Sequence, residues 1–344
     1  MASRRGDWSR LDETDVRVRP GKGTRPRSKR RPEHADAVTA MVVGKDRGRW
    51  TCAVDRDPTH LVVAMRAREL GRTPVVIGDQ VDIVGDTSGD ADTLARIVRV
   101  ADRTSVLRRT ADDTDAFERV VVANAEQLLI VCALADPPPR TGFIDRCLVA
   151  AFAGGLTPIL CLTKADLADP ADLLAAYAEL DLPVVVNRHD AEPQELRERL
   201  TDRVSALVGH SGVGKSTLVN RLVPDAYRAI GAVSGVGKGR HTSTSAVALP
   251  LPAGGWVVDT PGIRSFGLAH IKPNDIVAAF EEFVAPAEEC PSGCGHLGAP
   301  EDPGCYLDSV VQEGQATPGR LASLRRLLSS KAGVDDHTDR EQSG

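Results

Sequence analysis

One glycine-rich segment restricts the folds available to this chain more than any other feature of its sequence. The segment reads GHSGVGKS over residues 209–216, between the β-like run Val204–Val208 and the helical stretch Lys215–Leu222. Glycines between a strand and a helix let backbone N–H groups surround phosphate oxygens, and the helix presents its positive end to the anion. The segment therefore predicts a phosphate-binding loop, or P-loop, in an α/β sheet.

The residue types of the P-loop favour a nucleoside triphosphate. We expect Lys215 to reach the β- and γ-phosphates and to take part in catalysis, while the Ser216 hydroxyl binds Mg²⁺. The other P-loop residues expected to bind the nucleotide are Gly209, His210, Ser211, Gly212, Val213, Gly214 and Thr217.

A second phosphate element follows the P-loop in the sequence. Asp259 lies at the end of the apolar run Trp256–Val258 and opens the motif DTPG, which ends at Gly262. The Asp259 carboxylate is expected to hold the Mg²⁺ shell, and the Gly262 N–H to bind the γ-phosphate. Alone, DTPG would be a common turn, but its position after a buried strand and a P-loop favours the nucleotide role.

The base is predicted from a motif that lies before the P-loop. Thr163, Lys164 and Asp166 belong to the segment TKAD, which follows the strand-like run Pro158–Leu162. The Asp166 carboxylate matches the two adjacent N–H donors of guanine, whereas adenine would leave that carboxylate unpaired. Lys164 is expected to pack on the nucleotide. In ordinary GTPases this motif follows the P-loop, so the order here predicts a circular permutation.

A switch segment is predicted between the P-loop and DTPG. Residues 239–244 read GRHTST and follow a glycine-rich approach, so we expect a mobile loop in which Thr242, or alternatively Thr244, binds Mg²⁺. Ile263 stands after DTPG, where many GTPases have a glutamine that orients water, and an isoleucine cannot polarise water. His241 is therefore the candidate catalytic group, and a surface histidine in a mobile loop is the alternative interpretation.

Four metal-ligand side chains lie within one Gly- and Pro-rich segment near the C-terminus. Cys290, Cys294, His296 and Cys305 have the spacing C-x3-C-x-H-x8-C. Three thiolates and one imidazole complete the tetrahedral shell of Zn²⁺ and leave no position for a catalytic water. We therefore predict one structural Zn²⁺, with unrelated buried cysteines as the alternative.

The sequence around these motifs predicts several domains. Five short β segments within residues 36–107 indicate a small barrel of the OB type, with a small β-sandwich as the alternative. From about residue 118, apolar strands alternate with helices, as in a doubly wound parallel sheet. A helix over Asn274–Phe283, a Cys/Pro/Gly-rich loop and a helix over Pro318–Lys331 follow.

The predicted fold is thus multidomain, with an N-terminal OB-type β-barrel, a central α/β P-loop GTPase domain and a C-terminal helical zinc-binding domain. The segments are a disordered basic tail (1–35), the barrel (36–107), the circularly permuted GTPase domain (108–270), the zinc-binding helical domain (271–331) and a tail (332–344).

Charge is distributed unevenly along the chain. Residues 1–32 hold eleven Lys/Arg and four Asp/Glu, although the whole chain has a net charge of −5. So polar a tail cannot offset its ordering entropy, and it predicts either an arm that contacts phosphate backbones or a solubilising end. The sequence has neither an apolar run long enough for a membrane span nor an apolar signal core, which predicts a cytoplasmic protein. Nothing in it requires more than a monomer.

Together these motifs resemble the RsgA/YjeQ family of circularly permuted GTPases, over about residues 36–330. The resemblance is carried by TKAD before GHSGVGKS, by GRHTST, by DTPGIRSFGL and by CPSGCGH with the more distant Cys305. It implies an OB-fold that binds RNA, a GTPase that binds the small ribosomal subunit and its rRNA, and GTP hydrolysis stimulated there during late maturation. By the GRHTST match, His241 corresponds to the family's proposed catalytic histidine and Thr242 to its switch threonine.

This chain departs from the family pattern at three places. TKAD has Thr163 where the family commonly has Asn, which predicts weaker hydrogen bonds in the loop but no change of base. Val186–Arg188 stands where a Ser-Ala-like loop is expected, so its contact with the base stays open. The zinc cluster has a shorter first spacer and a longer last one, which alters its loops rather than its ligands.

Two other functions fit parts of the sequence. A P-loop ATPase or kinase with appended domains would make Asp166 an ordinary loop residue and would bind ATP as well as GTP. An RNA-binding scaffold with a passive nucleotide site would show negligible turnover even in the presence of ribosomal subunits.

Overall fold

Five short strands near the start of the described chain form a closed barrel. The computed structural model describes residues 34–71, 73–109, 119–224, 246–260, 268 and 271–332. The order around the barrel is β1-β2-β3-β5-β4, and every pair is antiparallel except β3 with β5. The predicted OB-type barrel is confirmed, and the alternative sandwich is wrong. The strands are β1 (Val38–Asp46), β2 (Arg49–Val54), β3 (Leu61–Arg66), β4 (Gln80–Gly85) and β5 (Ala95–Val100).

The first hairpin of the barrel differs from its prediction at a glycine. The sequence predicts that the first strand ends at Val43 because Gly44 opens a turn, but β1 continues to Asp46. The register against β2 shifts between Val42 and Gly44, so Val43 is the extra residue of a β-bulge and Gly44 stays paired, with Thr51. The turn itself is Arg47-Gly48, in which both residues have positive φ, 44° and 82°, as in a two-residue type I′ turn.

A hairpin that the sequence did not predict joins the barrel to the rest of the chain. Its strands, β6 (Val106–Arg109) and β7 (Arg119–Ala123), pair antiparallel. The Ala123 N–H donates to the Ile77 carbonyl of the barrel at 2.9 Å. Gly78 packs closely against Ala123, because a Cβ added to this glycine would lie only 1.9 Å from the Ala123 carbonyl oxygen. The barrel and the hairpin therefore share one tightly packed junction.

A six-stranded sheet follows the hairpin. Its order is β10-β9-β8-β11-β13-β12, and all neighbours are parallel except β12 with β13 at one edge. β8, β9 and β11 are almost wholly buried, which is why their sequences are continuous apolar runs. The strands are β8 (Gln127–Ala133), β9 (Thr157–Thr163), β10 (Val184–Val186), β11 (Val204–Val208), β12 (Val247–Pro250) and β13 (Trp256–Asp259).

In the described residues four helices accompany the sheet: α1 (Thr141–Gly154), α2 (Ala171–Tyr177), α3 (Gln194–Leu200) and α4 (Lys215–Leu222). From β8 the chain moves outward through α1, β9 and α2 to β10, and α3 then returns it to β11 on the other side of β8. This reversal creates a topological switch point between the carboxyl ends of β8 and β11, where open α/β sheets bind ligands. The predicted doubly wound sheet is confirmed, although α3 was not predicted.

The last part of the described chain is helical. Its helices are α5 (Pro273–Val277), α6 (Glu281–Glu288), α7 (Leu307–Gln312) and α8 (Pro318–Ala332). The prediction of one helix over Asn274–Phe283 is wrong, because the chain turns between α5 and α6 and so buries both Phe280 and Phe283. Helix α8 begins at the predicted residue and packs against α1 and α5.

Within the described segments, no helix has both the length and the apolar character needed to cross a bilayer.

Candidate functional site

The P-loop leaves the carboxyl end of β11 beside β8, at the switch point of the sheet. Gly209 has no room for a side chain, because a Cβ would lie 2.7 Å from the Val131 carbonyl oxygen. Gly212 and Gly214 adopt φ values of +84° and +89°, which L side chains rarely adopt. Gly214 is the N-cap of α4, so the loop leads directly into a helix N-terminus, the arrangement that binds phosphate.

The two charged residues predicted to act at the phosphates lie together. The Lys215 ammonium forms a close ion pair with the Asp259 carboxylate at the end of β13. The two side chains are 13% and 21% exposed, so solvent screens the pair only in part. A partly buried ammonium on a P-loop can exchange its carboxylate for a phosphate group. Ser216 and Thr217 follow in the first turn of α4, and both are exposed.

A buried hydrogen bond joins the base motif to the P-loop. The Thr163 hydroxyl, at the end of β9, donates to the Val213 carbonyl oxygen at 2.6 Å. It also lies 3.4 Å from the Cys132 carbonyl of β8. Thr163 therefore fixes the P-loop backbone next to Gly214. Although this position is commonly Asn in the family, the threonine hydroxyl gives the P-loop a short hydrogen bond at Val213.

Replacing Thr163 by Val removes this hydroxyl while keeping the shape of the side chain. We expect the affinity for guanine nucleotide to fall about tenfold, because a buried carbonyl without a partner costs about 1–3 kcal/mol. Titration with a fluorescent GDP analogue measures the change. Thr163→Ser, which keeps the hydroxyl, is the matched control, and equal affinities for the wild type and Thr163→Val would contradict the role of the bond.

The Asp166 carboxylate is oriented by the loop that follows β10. Its Oδ1 accepts a hydrogen bond from the His189 N–H at 3.0 Å. This bond, and after it one from the N–H of Asp166 itself, lowers the pKa of the carboxyl group. Lys164 has a left-handed φ of 59°, and its ammonium donates to the Asp136 carbonyl. Asp166 is thus an exposed, ionised acceptor, as recognition of paired N–H donors requires.

The segment whose base contact stays open, Val186–Arg188, packs beneath the TKAD loop. Asn187 donates its N–H to the Leu162 carbonyl at 2.7 Å and accepts from the Ala165 N–H at 3.2 Å. Its buried amide lies 3.2 Å from Cys161 Sγ. Asn187 therefore supports the base motif through its backbone. The only sequence feature that pointed to this supporting role of Asn187 was its place directly after a short apolar strand.

A pocket of about 380 Å³ opens where the P-loop meets the N-terminus of α1. The His210 ring forms part of its wall and packs against Phe143, with the ring centroids 4.1 Å apart. Arg140 and Ser211 line it as well, together with the carboxyl end of β8. His210 thus connects the P-loop with α1.

Several residues that the sequence assigns to the site lie outside the described residues. These are His241, Thr242, Gly262, the alternative Thr244 and the neighbouring Ile263. The basic tail up to residue 33 and the C-terminal residues 333–344 also lie outside them. Their assigned roles stay predictions.

The four metal-ligand residues of the C-terminal part converge on one point. The ligand atoms of Cys290, Cys294, His296 and Cys305 all lie within 4.8 Å of one another. Bonds of about 2.0–2.3 Å to a central ion would place tetrahedral ligands roughly 3.5 Å apart. A small contraction is therefore enough for these side chains to close around a metal ion.

The His296 ring fits a metal ligand in its hydrogen bonding. Among the described residues its buried Nδ1 has no hydrogen-bond partner, whereas Nε2 lies 3.2 Å from the Asn274 side-chain oxygen. An Nε2–H that donates to Asn274 leaves the Nδ1 lone pair free for a metal, which is the usual arrangement of a ligating histidine. Burial lowers the pKa of His296 and so favours the neutral ring that coordinates metals.

Backbone N–H groups support the thiols of the cluster. The Tyr306 N–H lies 3.3 Å from Cys290 Sγ, and the His296 N–H lies 3.4 Å from Cys294 Sγ. Without a metal, burial raises the pKa of the Cys294 thiol to about 12. Binding of a metal ion therefore releases protons from this cluster.

Two supporting residues of the cluster were not predicted from the sequence. The Asp302 carboxylate accepts hydrogen bonds from the N–H groups of Gly295 and Leu297 at 3.1 and 2.9 Å. Its position between the last two ligands was the available signal. Asn274 offered none, because its contact with His296 joins the start of α5 to a distant loop.

A protein-family model described as RsgA GTPase matches residues 100–269 of the chain. Among curated proteins, the small ribosomal subunit biogenesis GTPase RsgA of Ectopseudomonas mendocina is 40% identical over 266 residues, which cover 74% of this chain and 75% of that protein. The protein of the same name from Gemmatimonas aurantiaca is 37% identical over 308 residues, covering 86% of this chain and 98% of that protein.

Solved structures have the same architecture. The crystal structure of YjeQ from Thermotoga maritima matches with a TM-score of 0.63 at 26% identity, covering 86% of this chain and 99% of that one. YloQ, described as a circularly permuted GTPase, matches with a TM-score of 0.61 at 19% identity, covering 90% of this chain and 98% of that one. The likeness to YloQ concerns the fold alone.

Proposed function

Because this chain belongs to the RsgA family of GTPases, we propose that it hydrolyses GTP to GDP and phosphate on the small ribosomal subunit during late maturation of that subunit. The observation that carries this proposal is the pairing of Lys215 with Asp259 at the P-loop. The hydrogen bond from Thr163 to the P-loop then ties the guanine motif to the same site. The relatives named for small ribosomal subunit biogenesis supply the cellular context.

The site residues are proposed to act at the two ends of the nucleotide. Backbone N–H groups of the P-loop, residues 209–217, bind the phosphates. Lys215 exchanges Asp259 for the β- and γ-phosphates, and its charge stabilises the negative charge that develops there in the transition state. At the other end Asp166 binds the guanine N–H donors, while Lys164 packs on the nucleotide and Thr163 fixes the loop.

The oxygen ligands of the site fit Mg²⁺. Ser216 is the second residue of α4, and Asp259 is the last residue of β13. Their hydroxyl and carboxylate oxygens are hard ligands of the kind that this ion prefers. We propose Thr242 as the further protein ligand. When bound, the ion neutralises charge on the β- and γ-phosphates. Asp259 becomes available to it once Lys215 has moved to the phosphates.

The water-orienting role is proposed for His241. Ile263 stands at the position where many GTPases carry the glutamine that performs this role, and its side chain offers no hydrogen bond. A neutral imidazole nitrogen can accept a hydrogen bond from water and so orient it for attack on the γ-phosphate.

For the metal of the C-terminal cluster we propose Zn²⁺ in a structural role. Three thiols and one imidazole form a closed set that suits this ion. By joining the segment before α7 to the loop after α6, the ion would hold the helices α5–α8 in place. The helices α5 and α7 are only five and six residues long, too short to be stable without packing or a metal ion to hold them.

Loss of this metal is expected to destabilise the C-terminal helices. Elemental analysis should find one zinc per chain, and Cys290→Ser should lose it and melt at least about 5 °C lower, because the metal's binding energy contributes to folding. Cys52→Ser, which removes a buried thiol from the barrel, is the control that keeps its zinc. Full zinc occupancy in Cys290→Ser would contradict the ligand assignment.

We propose a barrel over residues 36–107, a permuted GTPase domain over 108–270 and a zinc-binding helical domain over 271–331. The barrel and the basic tail would bind rRNA, as the exposed barrel residues Arg47, Arg49, Arg66 and Arg68 favour. We propose a cytoplasmic monomer, since the partner and the substrate both belong to that compartment.

Turnover with and without purified small ribosomal subunits tests this function. We expect subunits to raise GTP hydrolysis by about 10²-fold or more, as partners of other GTPases do, and to leave ATP hydrolysis negligible. His241→Ala should remove the stimulation. Equal hydrolysis of ATP would indicate a P-loop ATPase instead. Negligible turnover with subunits present would indicate a scaffold with a passive nucleotide site.

A further inference from the structure

Two adjacent arginines of α8 contact two different parts of the protein. The first, Arg325, contacts the metal cluster. Its Nη2 lies 2.8 Å from Asp308 Oδ2, and its Nε donates to the His296 carbonyl at 3.3 Å. A Cβ at Gly298 would lie 2.5 Å from the guanidinium, so the cluster loop packs directly on this side chain. A change in the geometry of the cluster loop would therefore move Arg325, and with it α8.

The second arginine, Arg326, contacts the helices of the GTPase sheet. Its guanidinium lies over the Tyr177 ring, with Cζ 4.6 Å from the ring centroid. Nη1 donates to the Ala176 carbonyl at 2.9 Å, which is at the C-terminal end of α2. Nε forms an ion pair with Asp145 of α1 at 3.2 Å, without the alignment of a hydrogen bond. Successive side chains on a helix point about 100° apart, which lets one turn of α8 contact both regions.

The contacts of Arg326 centre on a buried carboxylate. Asp145 is 3% exposed, and the Tyr177 hydroxyl donates to its Oδ1 at 3.0 Å. The same hydroxyl lies 3.2 Å from the carbonyl of Thr141, the first residue of α1. A buried carboxylate that loses its cation is strongly disfavoured, so displacement of α8 would force α1 and α2 to rearrange.

These two helices lead to the two halves of the nucleotide site. Helix α1 begins beside the P-loop pocket, where Phe143 packs on His210. Helix α2 begins at Ala171, five residues after Asp166. A second contact strengthens the link, because Arg320 of α8 donates to the carbonyl of Glu179 just beyond α2 at 2.6 Å.

We propose that Arg326 is a positioning residue for guanine-nucleotide binding and that it couples the nucleotide site to the metal cluster through α8. The inference rests on the proposed function for the identity of the nucleotide. A metal ion that closes the cluster fixes Arg325, α8 and Arg326 together, and these hold α1 and α2 in the arrangement that binds the base and phosphates. Linkage requires the reverse effect as well, so bound nucleotide raises the affinity for the metal by the same factor.

The test measures the dissociation constant of a fluorescent GDP analogue for the full chain, before and after a chelator removes the metal ion of the C-terminal cluster. Elemental analysis verifies the metal content of each sample. In the wild type, removal should weaken GDP binding about tenfold, within the usual range of coupling between two sites. Arg326→Gln should already bind GDP about tenfold more weakly while it retains its metal, and chelation should then change its affinity little.

Two variants separate positioning from a general loss of structure. Arg326→Lys keeps the charge and should recover part of the affinity and of the response to chelation. Lys331→Gln removes a positive charge from the same helix, at a side chain with no hydrogen bond or ion pair among the described residues, and should behave as the wild type. If Arg326→Gln fails to fold by circular dichroism, Tyr177→Phe removes the hydroxyl bond to Asp145 and should show the same effects in smaller measure.

Three outcomes would overturn the coupling. Unchanged GDP affinity in wild-type protein shown to be free of metal would do so, and so would an equal response to chelation in Arg326→Gln and the wild type. A chain that binds no guanine nucleotide would remove the proposed function and the coupling together. If the chain binds GDP tightly with and without the metal ion of the cluster, the coupling is wrong and the proposed function stands.

Discussion

Replacing Asp166 by Asn is expected to turn a protein that prefers GTP into one that prefers XTP. Guanine presents two adjacent N–H donors to the carboxylate, one on N1 and one on the C2 amino group. Xanthine has an oxygen at C2, so it offers one donor and one acceptor. An asparagine amide matches that pair, whereas the carboxylate of the wild type would face an oxygen that it repels.

The structure favours the required orientation of the new amide. Asp166 Oδ1 already accepts the His189 N–H at 3.0 Å, and an asparagine carbonyl oxygen can accept the same bond. Its NH₂ group is then left for the base. We expect the ratio of the GTP and XTP affinities to change by about 10³-fold or more, as polar sites discriminate against mismatched bases.

Competition of unlabelled GTP, XTP and ATP against a fluorescent GDP analogue measures the three affinities. Asp172→Asn is the matched control, because this exposed carboxylate lies in the first turn of α2, close to the motif. An Asp166→Asn protein that still prefers GTP over XTP would show that the carboxylate does not read the base.

Replacing Lys215 by Ala is expected to lower kcat for GTP hydrolysis by about 10²–10³-fold or more, the usual effect of losing one group that stabilises transition-state charge. The lost ammonium is the one that the structure places against Asp259. In the proposed mechanism this ammonium stabilises the charge that develops on the γ-phosphate, so its loss should lower kcat more than it lowers GDP affinity.

Single-turnover hydrolysis of radiolabelled GTP without ribosomes separates this effect from any change in partner binding. Lys45→Ala is the control, since this lysine belongs to the barrel, where its ammonium lies over the Trp50 ring. If kcat for Lys215→Ala were within threefold of the wild-type value, Lys215 would not be a catalytic residue.

Much of the architecture was predictable because its causes are local in sequence. The buried strands β8, β9 and β11 are continuous apolar runs, and the P-loop glycines need conformations that other residues rarely adopt. The cluster of candidate metal ligands could be found because four residues of the right chemistry lie within one short segment.

The features that escaped prediction depend on partners far along the chain. A threonine at position 163 carries no sign that its hydroxyl reaches Val213, and Asn274 carries none that it holds His296. The helix over 274–283 was mispredicted because its apolar periodicity suits one long helix. The chain instead turns before Phe280, the N-cap of α6, and both Phe280 and Phe283 are buried.

The order of strands in the sheet has a consequence for synthesis of the chain. β8 must pair with β9 on one side and with β11 on the other, but about 70 residues lie between the end of β8 and the start of β11. At a translation rate of about 5–20 residues per second, one edge of an apolar strand stays unpaired for roughly 4–14 s. Open apolar edges recruit other strands, so the nascent chain needs this edge shielded until β11 emerges.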